Sequence, residues 1–455
     1  MSLFSLRIIE LRSLSFERGI ANVIHTYEEA INWIHSRLKF GIKPGLERMQ
    51  WMLEELGNPE RHIKCVHLAG TNGKGSTLTY MRYMLEGAKY KVGTFTSPYI
   101  ETFNERISVN GIPIADEEIA ELVNMVKPVV EKLDETDLGE ATEFEIITVM
   151  AIYYFGKVNF CDVVLFETGL GGRFDSTNVI HPVLTIITNI GHDHMHILGD
   201  TLGEIAYEKA GIIKSGVPVI TGVKNEEALQ VIQKVAKENH ASLYELGKQF
   251  TMLHKHSNKD GEHFDFDCPF ASFENVRISM KGIHQVGNAA LALMAVMYLK
   301  TYLSFLINEE EMKAGLQEAY WIGRFEKLQS NPDIIIDGAH NPEGIESLVK
   351  TVEAHYKKKN VIVLFTALGD KQLHNMVGQL EKVADEIIFT TFAFDRAISA
   401  DKLASYSQQE SKLVFEDWKE AIDTKADMIG EHDVFIITGS LYFISEVRKY
   451  IREKN

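Results

Sequence analysis

Cysteine is scarce in this 455-residue chain: Cys65, Cys161 and Cys268 stand apart, with no CxxC pair among them. An odd, sparse set of thiols excludes a disulfide scaffold, offers no closed zinc framework and suits a reducing compartment. Cys65 and Cys161 lie in or beside apolar runs and read as buried thiols. Basic tracts are missing too. No run of five Lys or Arg occurs, and 47 basic against 64 acidic residues give a formal net charge of −17. Nucleic-acid and membrane-surface proteins need a basic footprint, so neither kind of partner is expected. No apolar stretch of 18 residues stands out, and the opening MSLFSLRIIELRSLSF lacks a long apolar core followed by a small-residue cleavage site. The expectation is a cytoplasmic monomer.

What is present is ordinary globular composition, 45% hydrophobic and 24% charged. The length exceeds the ~250–300 residues at which single cores stop growing, so two domains are expected. Apolar strand-like runs alternate with helical patterns, the mark of a parallel sheet wrapped by helices. IKCVHLA (63–69) reads as a buried strand, followed by a glycine-rich turn and a helix from Ser76 to about Glu86 that Gly87 would stop. Further strand-like runs are VGTFT, 162–168, 183–189 and 217–221. Residues 240–280 are polar and turn-rich and read as an antiparallel excursion. After a helix at 287–300, a second series begins with DIIIDG, a helix from Pro342, VIVLF, EIIFTT, KLVF and VFIITG. The expected fold is α/β: a P-loop parallel-sheet ATPase domain over residues 1–318, then a smaller doubly wound, Rossmann-like domain over 319–455.

The strongest chemical signal is AGTNGKGST (69–77), between the first strand and its helix. Backbone N–H groups of Gly70, Thr71, Asn72, Gly73, Gly75 and Thr77, backed by a helix N-terminus, make a phosphate cradle. Lys74 would reach the outer phosphates and the Ser76 hydroxyl would take Mg²⁺. The spacing departs from GxxxxGK[ST], because Leu68 stands where the first glycine belongs and Gly75 separates Lys74 from Ser76. The bland alternative is a glycine turn made for packing alone. Glu167 ends a strand, and ligands of open α/β sheets bind outside the carboxyl ends of strands. A carboxylate there suits Mg²⁺, which wants oxygen; otherwise it is a solvated strand end. His192, His194 and His196 in HDHMH invite a zinc reading, but no second cluster completes a closed site. Lys209 lies near a helix end that Gly211 would cap, where any lysine complements the dipole. Phe144 could stack on a flat heterocycle or serve the core.

GTNGKGS resembles the P-loop of the Mur ligase superfamily. SPYI, NERI, ETGLGGRFDSTN, ITNIGHDHMHILGDT, IAYEKAGIIK, HQVGNAA, GRFE and DGAHNP then follow in the order of the folylpolyglutamate synthase family, which includes bifunctional dihydrofolate synthases. The resemblance spans about residues 40–345 by motif. It implies ATP, two Mg²⁺ sites, and a folate or dihydropteroate and L-glutamate as substrates. It implies Ser76, Glu167 and His194 as magnesium ligands, with Lys209 carrying a carbamate that bridges to the second metal, which needs a neutral amine. Asn288 would lie beside adenine, Arg324 and Asp337 would serve the nucleotide, and His340 the phosphates. Lys74, Lys209 and His340 would be the catalytic side chains. Ser97, Pro98, Thr142, Phe144, Arg173 and Asp175 would hold the pterin-bearing acid. Ile322 departs from the proline usual before GR. The implied reaction is ATP-dependent amide formation through an acyl phosphate, which fits the lack of a Ser-His-Asp or Cys-His arrangement. The rivals are a Mur ligase acting on a cell-wall precursor, a non-ligase P-loop ATPase, and a zinc hydrolase built on HDHMH. Against the first, 68 residues precede Ala69, too few for a separate nucleotide-sugar domain.

Overall fold

Short runs rich in Val, Ile and Phe pair into a sheet because each is apolar on both faces and is returned by a helix. In this computed structural model residues 23–41 and 43–454 are described; the opening segment read for a leader lies outside them. The first sheet contains β1 (Cys65–Ala69), β2 (Val92–Phe95), β3 (Ile107–Val109), β4 (Ile112–Pro113), β5 (Val163–Glu167), β6 (Leu184–Ile187), β7 (Val219–Thr221) and β8 (Leu243–Glu245). Their spatial order is β4-β3-β2-β5-β1-β6-β7-β8, parallel except for the β3–β4 hairpin at one edge. β1 is buried along its length and lies between β5 and β6. Leu68 stands opposite Glu167 on one side and Ile186 on the other, so the loops leaving these three strands emerge together.

The polar stretch after β8 is an antiparallel excursion. β9 (Thr251–Asn258), β10 (Gly261–Cys268) and β11 (Ala271–Ile278) form a three-stranded sheet whose Phe264, Phe266, Phe273 and Val276 join the core around helix Ile283–Leu303. That helix, 21 residues with mean hydropathy 1.3, is long and apolar enough to cross a membrane. Its apolar run, which did not stand out in the sequence, is spent inside the protein: Leu291, Met294, Ala295 and Leu299 are buried in the core. Helix Glu309–Glu318 packs on the P-loop helix Lys74–Gly87 through Gly315, where a Cβ would come within 2.6 Å of the Met84 Cα.

The second sheet takes β12 (Glu326–Gln329), β13 (Asp333–Asp337), β14 (Asn360–Phe365), β15 (Glu386–Thr390), β16 (Lys412–Phe415) and β17 (Asp433–Thr438) in the order β12-β13-β17-β14-β15-β16. Only β12–β13 is antiparallel. The expected α/β class and its two sheets are what the chain adopts. Local details differ. Gly87 is the last helical residue, and the left-handed turn falls on Lys89 at φ 68°. The TEFE stretch opens helix Glu143–Tyr153.

Candidate active site

Residues 70–73 turn between β1 and the P-loop helix, which starts at Lys74. Gly73 is left-handed (φ 85°), and a side chain there would meet Asn288; one on Gly70 would run into Thr188. Only glycine lets the backbone pass so closely. The loop after β6 holds the turn: Thr71 N–H donates to the Asn189 carbonyl (3.1 Å), Asn72 N–H to Asn189 Oδ1 (2.8 Å), and Thr188 Oγ1 to the Asn72 carbonyl (2.6 Å). Ser76 and Thr77 are buried on the helix's first turn. Gln285 Nε2 donates to Ser76 Oγ (3.3 Å), and Asn288 Nδ2 donates to Gln285 Oε1 (3.1 Å). The start of the core helix is thus tied to the P-loop, and Gln285 is a site residue that sequence reasoning passed over within HQVGN. Trp321 covers Gly75, whose Cβ would lie 3.0 Å from the indole nitrogen.

Lys74 Nζ donates to the Gly70 carbonyl (2.9 Å) and stands 3.8 Å from Glu167. Burial pushes the Glu167 carboxyl up, while Lys74, Arg324 and a Ser97 backbone hydrogen bond pull it back. Lys209 is 5% exposed at the end of helix Leu202–Ala210, with no carboxylate within ion-pair reach among the described residues. Burial first, then the Lys74 charge, lower its amine to about 7. His194 takes a left-handed conformation (φ 51°), and burial lowers its imidazole to about 4, so it is neutral at pH 7.

Asp193, beside it, is a hub that the sequence did not single out. Lys371 Nζ approaches its Oδ1 at 2.5 Å, Asn341 Nδ2 donates to Oδ2 (3.1 Å), and His340 Nε2 lies 3.5 Å away. All three partners come from the second domain. These neighbours outweigh burial and hold the Asp193 carboxyl well below the carboxylate range. His192 reaches across too, its Nδ1 3.2 Å from Glu343. The signal for Lys371 was available: GDK follows β14 at the edge where ligands bind.

Around GRFE and DGAHNP, Asp337 accepts from Phe325 N–H (2.8 Å) and Ala339 N–H (2.9 Å), which locks the two motifs together. Arg324 packs against Gly338, and His340 Nδ1 lies 2.8 Å from the Gly338 carbonyl. On the other side of β1, a cis Ser97–Pro98 bond follows β2, and Arg106 donates to Ser97 Oγ (3.1 Å). Arg106 is half-buried, with its guanidinium over the rings of Tyr99 and Phe103, and its buried Nε has no partner among the described residues. Thr142 caps its helix, accepting from Glu145 N–H (3.2 Å). Phe144 lies against Gly169, with its ring 6.0 Å from Phe95. Asp175 accepts from Leu170 N–H (2.8 Å) and Thr177 N–H (3.0 Å), bracing the GLGGR loop. Arg173 is half exposed over Phe174 and Tyr207. Thr142 and Asp175 therefore spend their side chains on backbone hydrogen bonds.

The donors present fit Mg²⁺. Ser76 and Glu167 supply hard oxygens and His194 a neutral nitrogen, yet no group of three His, Cys, Asp or Glu among the described residues could hold an ion unaided. A cation here would complete its shell with phosphate oxygens and water, which is the habit of Mg²⁺. The same fact leaves the zinc reading of HDHMH without a site.

Residues 68–296 match the Mur ligase middle domain and residues 323–441 the Mur ligase glutamate ligase domain. A dihydrofolate synthase/folylpolyglutamate synthase from Bacillus subtilis is 49% identical over 426 residues, 94% of this chain and 99% of that protein. A folylpolyglutamate synthase from Lacticaseibacillus casei is 31% identical, covering 93% of this chain and 98% of its own. Among solved structures, Mycobacterium tuberculosis folylpolyglutamate synthase complexed with ADP superposes with a TM-score of 0.87 at 26% identity, covering 94% and 99%. E. coli FolC in complex with DHPP and ADP gives 0.85 at 27%, covering 96% and 100%. With both Mur ligase domains and near-complete coverage of such relatives, the chain belongs to the folylpolyglutamate synthase/dihydrofolate synthase family of Mur ligases.

Proposed function

We propose that the chain is an ATP-dependent ligase that forms an amide bond between L-glutamate and a folate, and also between L-glutamate and dihydropteroate. The observation that carries this reading is the P-loop lysine beside a strand-end carboxylate, under a second domain whose DGAHNP loop touches the P-loop. The Bacillus subtilis relative, named for both activities, supports the wider substrate range.

In the reaction the acceptor carboxylate attacks the γ-phosphorus of ATP and ADP leaves. The amine of glutamate then attacks the acyl phosphate, and phosphate and a proton depart. Gly70, Thr71, Asn72, Gly73, Gly75 and Thr77 cradle the phosphates, and Lys74 releases its loop carbonyl to neutralise the transferring group. Bound Mg²⁺ would add further neutralisation at those oxygens, held by Ser76, Glu167 and His194 with a carbamylated Lys209 at a second ion. Asn288, Arg324 and Asp337 orient the nucleoside, and His340 lies on the phosphate side. Ser97, Pro98, Thr142, Phe144, Arg173 and Asp175 form the wall for the pterin-bearing acid. Arg106, a half-buried cation whose Nε is unpaired among the described residues, is a carboxylate anchor at the same cleft. The domain junction excludes water that would hydrolyse the acyl phosphate. We take residues 1–318 as the ATP- and folate-binding unit and 319–455 as the ligase unit. Both come from one chain, so a monomer suffices; the acidic charge argues against nucleic-acid and membrane-surface partners, and the sparse, unpaired cysteines favour a cytoplasmic role.

The test is ADP release. A ligase needs acid and amino acid together, whereas a switch ATPase turns over without them, and Lys74→Ala should lower the rate at least ~10²-fold. Parallel assays with dihydropteroate and tetrahydrofolate decide the substrate range; turnover independent of both acids would overturn the reading.

A further inference from the structure

Helix Pro342–Tyr356 touches the P-loop with its first end, through Asn341, and a separate cleft opens at its last end. Fifteen helical residues at 1.5 Å each put the two about 20 Å apart. The cleft has a volume of about 340 Å³ and is lined by four lysines, two from each domain. Lys259 comes from the β9–β10 turn and Lys281 from the residues before the core helix. Lys327 lies on β12, and Lys359 follows helix Pro342–Tyr356. In a chain of net charge −17 this local excess is unusual.

Of the acidic groups nearby, Asp333 and Glu262 are engaged, while Asp260 is exposed on the β9–β10 turn beside Lys259. Asp333 is paired with Lys327 (2.8 Å) and hydrogen-bonded to the Tyr356 hydroxyl. Glu262, beneath the cleft, is fully buried and accepts from His355 (2.7 Å), His254 (2.9 Å), Ser257 (2.5 Å) and Gly282 N–H (2.7 Å). Among the described residues no carboxylate comes within ion-pair distance of Lys259, Lys281 or Lys359; Lys359 Nζ donates to the Glu431 carbonyl. The Lys281 ammonium lies 5.6 Å over the Tyr356 ring. Burial and then the Lys327 charge push its amine down, and Asp333, Glu262 and Asp260 oppose this only in part. Lys281 is thus a half-buried cation with no carboxylate in ion-pair reach among the described residues.

We propose that this cleft is a second anion site, distinct from the P-loop, that takes a small, multiply charged phosphate or carboxylate ligand and links the two domains when filled. A ligand that bridges lysines of both domains stabilises their closed arrangement by mass action.

The test uses the full chain with its P-loop saturated by a non-hydrolysable ATP analogue and Mg²⁺. Inorganic phosphate and γ-linked triglutamate are titrated separately by calorimetry at low salt. At least one should bind with a Kd below ~1 mM, and Lys259→Gln/Lys281→Gln should weaken it at least tenfold. Ligation without added anion should stay at the unmutated rate, which also reports that the variant is folded. Binding of phosphate alone identifies a phosphate site, and binding of triglutamate alone a carboxylate site. If neither binds below that limit, or the variant binds as the parent does, the proposal is overturned.

Discussion

Asn72 of the P-loop and Asn341 of the second domain exchange two hydrogen bonds, each 3.0 Å, across 269 residues of sequence. Asn341 Oδ1 also accepts from Gly344 N–H (2.8 Å), capping helix Pro342–Tyr356. Its Nδ2 donates to Asp193 at 3.1 Å. One side chain thus joins the glycine-rich turn after β1, a helix N-terminus and the loop after β6.

A double-mutant cycle tests this junction. Asn341→Ala removes the cap, costing about 1 kcal/mol of stability, while Asn72→Ala leaves the cap intact. Because the two touch, their effects on kcat/KM for ATP should couple by roughly 0.5–3 kcal/mol. Denaturation midpoints should show the cap loss only when residue 341 is changed. Simple additivity in the kinetics would mean that the contact does not serve the reaction.

Glu167→Gln and His194→Ala should each raise the Mg²⁺ concentration for half activity and leave the thermal midpoint near that of the parent. Both side chains end or follow strands beside β1, and neither anchors the core. Magnesium titration of ADP release and of fluorescent-nucleotide binding checks this. An unchanged Mg²⁺ requirement in both variants would remove them as ligands.

Much of this was legible because the ligand edge of an α/β sheet is local in sequence. GTNGKGS, Glu167 and His194 each follow an apolar run within a few residues, so strand and loop could be read together. Asp193 and Lys371 were not legible. An aspartate inside HDHMH and a lysine after VIVLF are each unremarkable alone, and their pairing exists only once two domains meet. Gln285 escaped for a similar reason: its partner Ser76 is 209 residues away. Thr142 shows the opposite limit, since its hydroxyl goes to a capping box. The apolar run of helix Ile283–Leu303 was underrated because His284, Gln285 and Asn288 interrupt it at the start.

The domain junction should also carry a pH dependence at Glu262. Burial would raise its carboxyl, but hydrogen bonds from His355, Ser257, Gly282 N–H and His254 hold it down to about 2, against an ordinary 4.5. A depressed folded-state value gives stability that is present above the unfolded value and lost as pH falls from about 4.5 through about 2. Glu262→Gln lacks this contribution. The stability gap between parent and variant, read from urea midpoints, should therefore be widest near neutrality and shrink through that window. A gap that stays constant with pH would contradict the assignment.

Lys209 separates two readings most sharply. If it only complemented the end of helix Leu202–Ala210, Lys209→Ala would cost ~0.3–1 kcal/mol and little activity. Yet the side chain is 5% exposed, and burial drives its amine to about 7, opposite to what a stabilised helix-terminal cation would show. A buried amine with a value of about 7 is about half unprotonated at neutrality, and that neutral fraction can attack carbon dioxide. The new N–C bond forms as one C–O π bond of carbon dioxide opens, the nitrogen loses one proton, and the neutral amine becomes an anionic oxygen donor. We predict that Lys209→Ala abolishes turnover and that acetate partly restores it by occupying the vacated oxygen position. Activity of the parent should fall when bicarbonate is stripped and return when it is added. The sign with pH follows from the free amine: below about 7 the amine is increasingly protonated, so the bicarbonate needed for half activity should rise as pH falls. A ¹³C carbamate signal in the Mg²⁺-loaded enzyme should appear with labelled bicarbonate and vanish in Lys209→Ala. A free amine in the active, Mg²⁺-loaded enzyme, or near-normal activity of Lys209→Ala, would sink the carbamate.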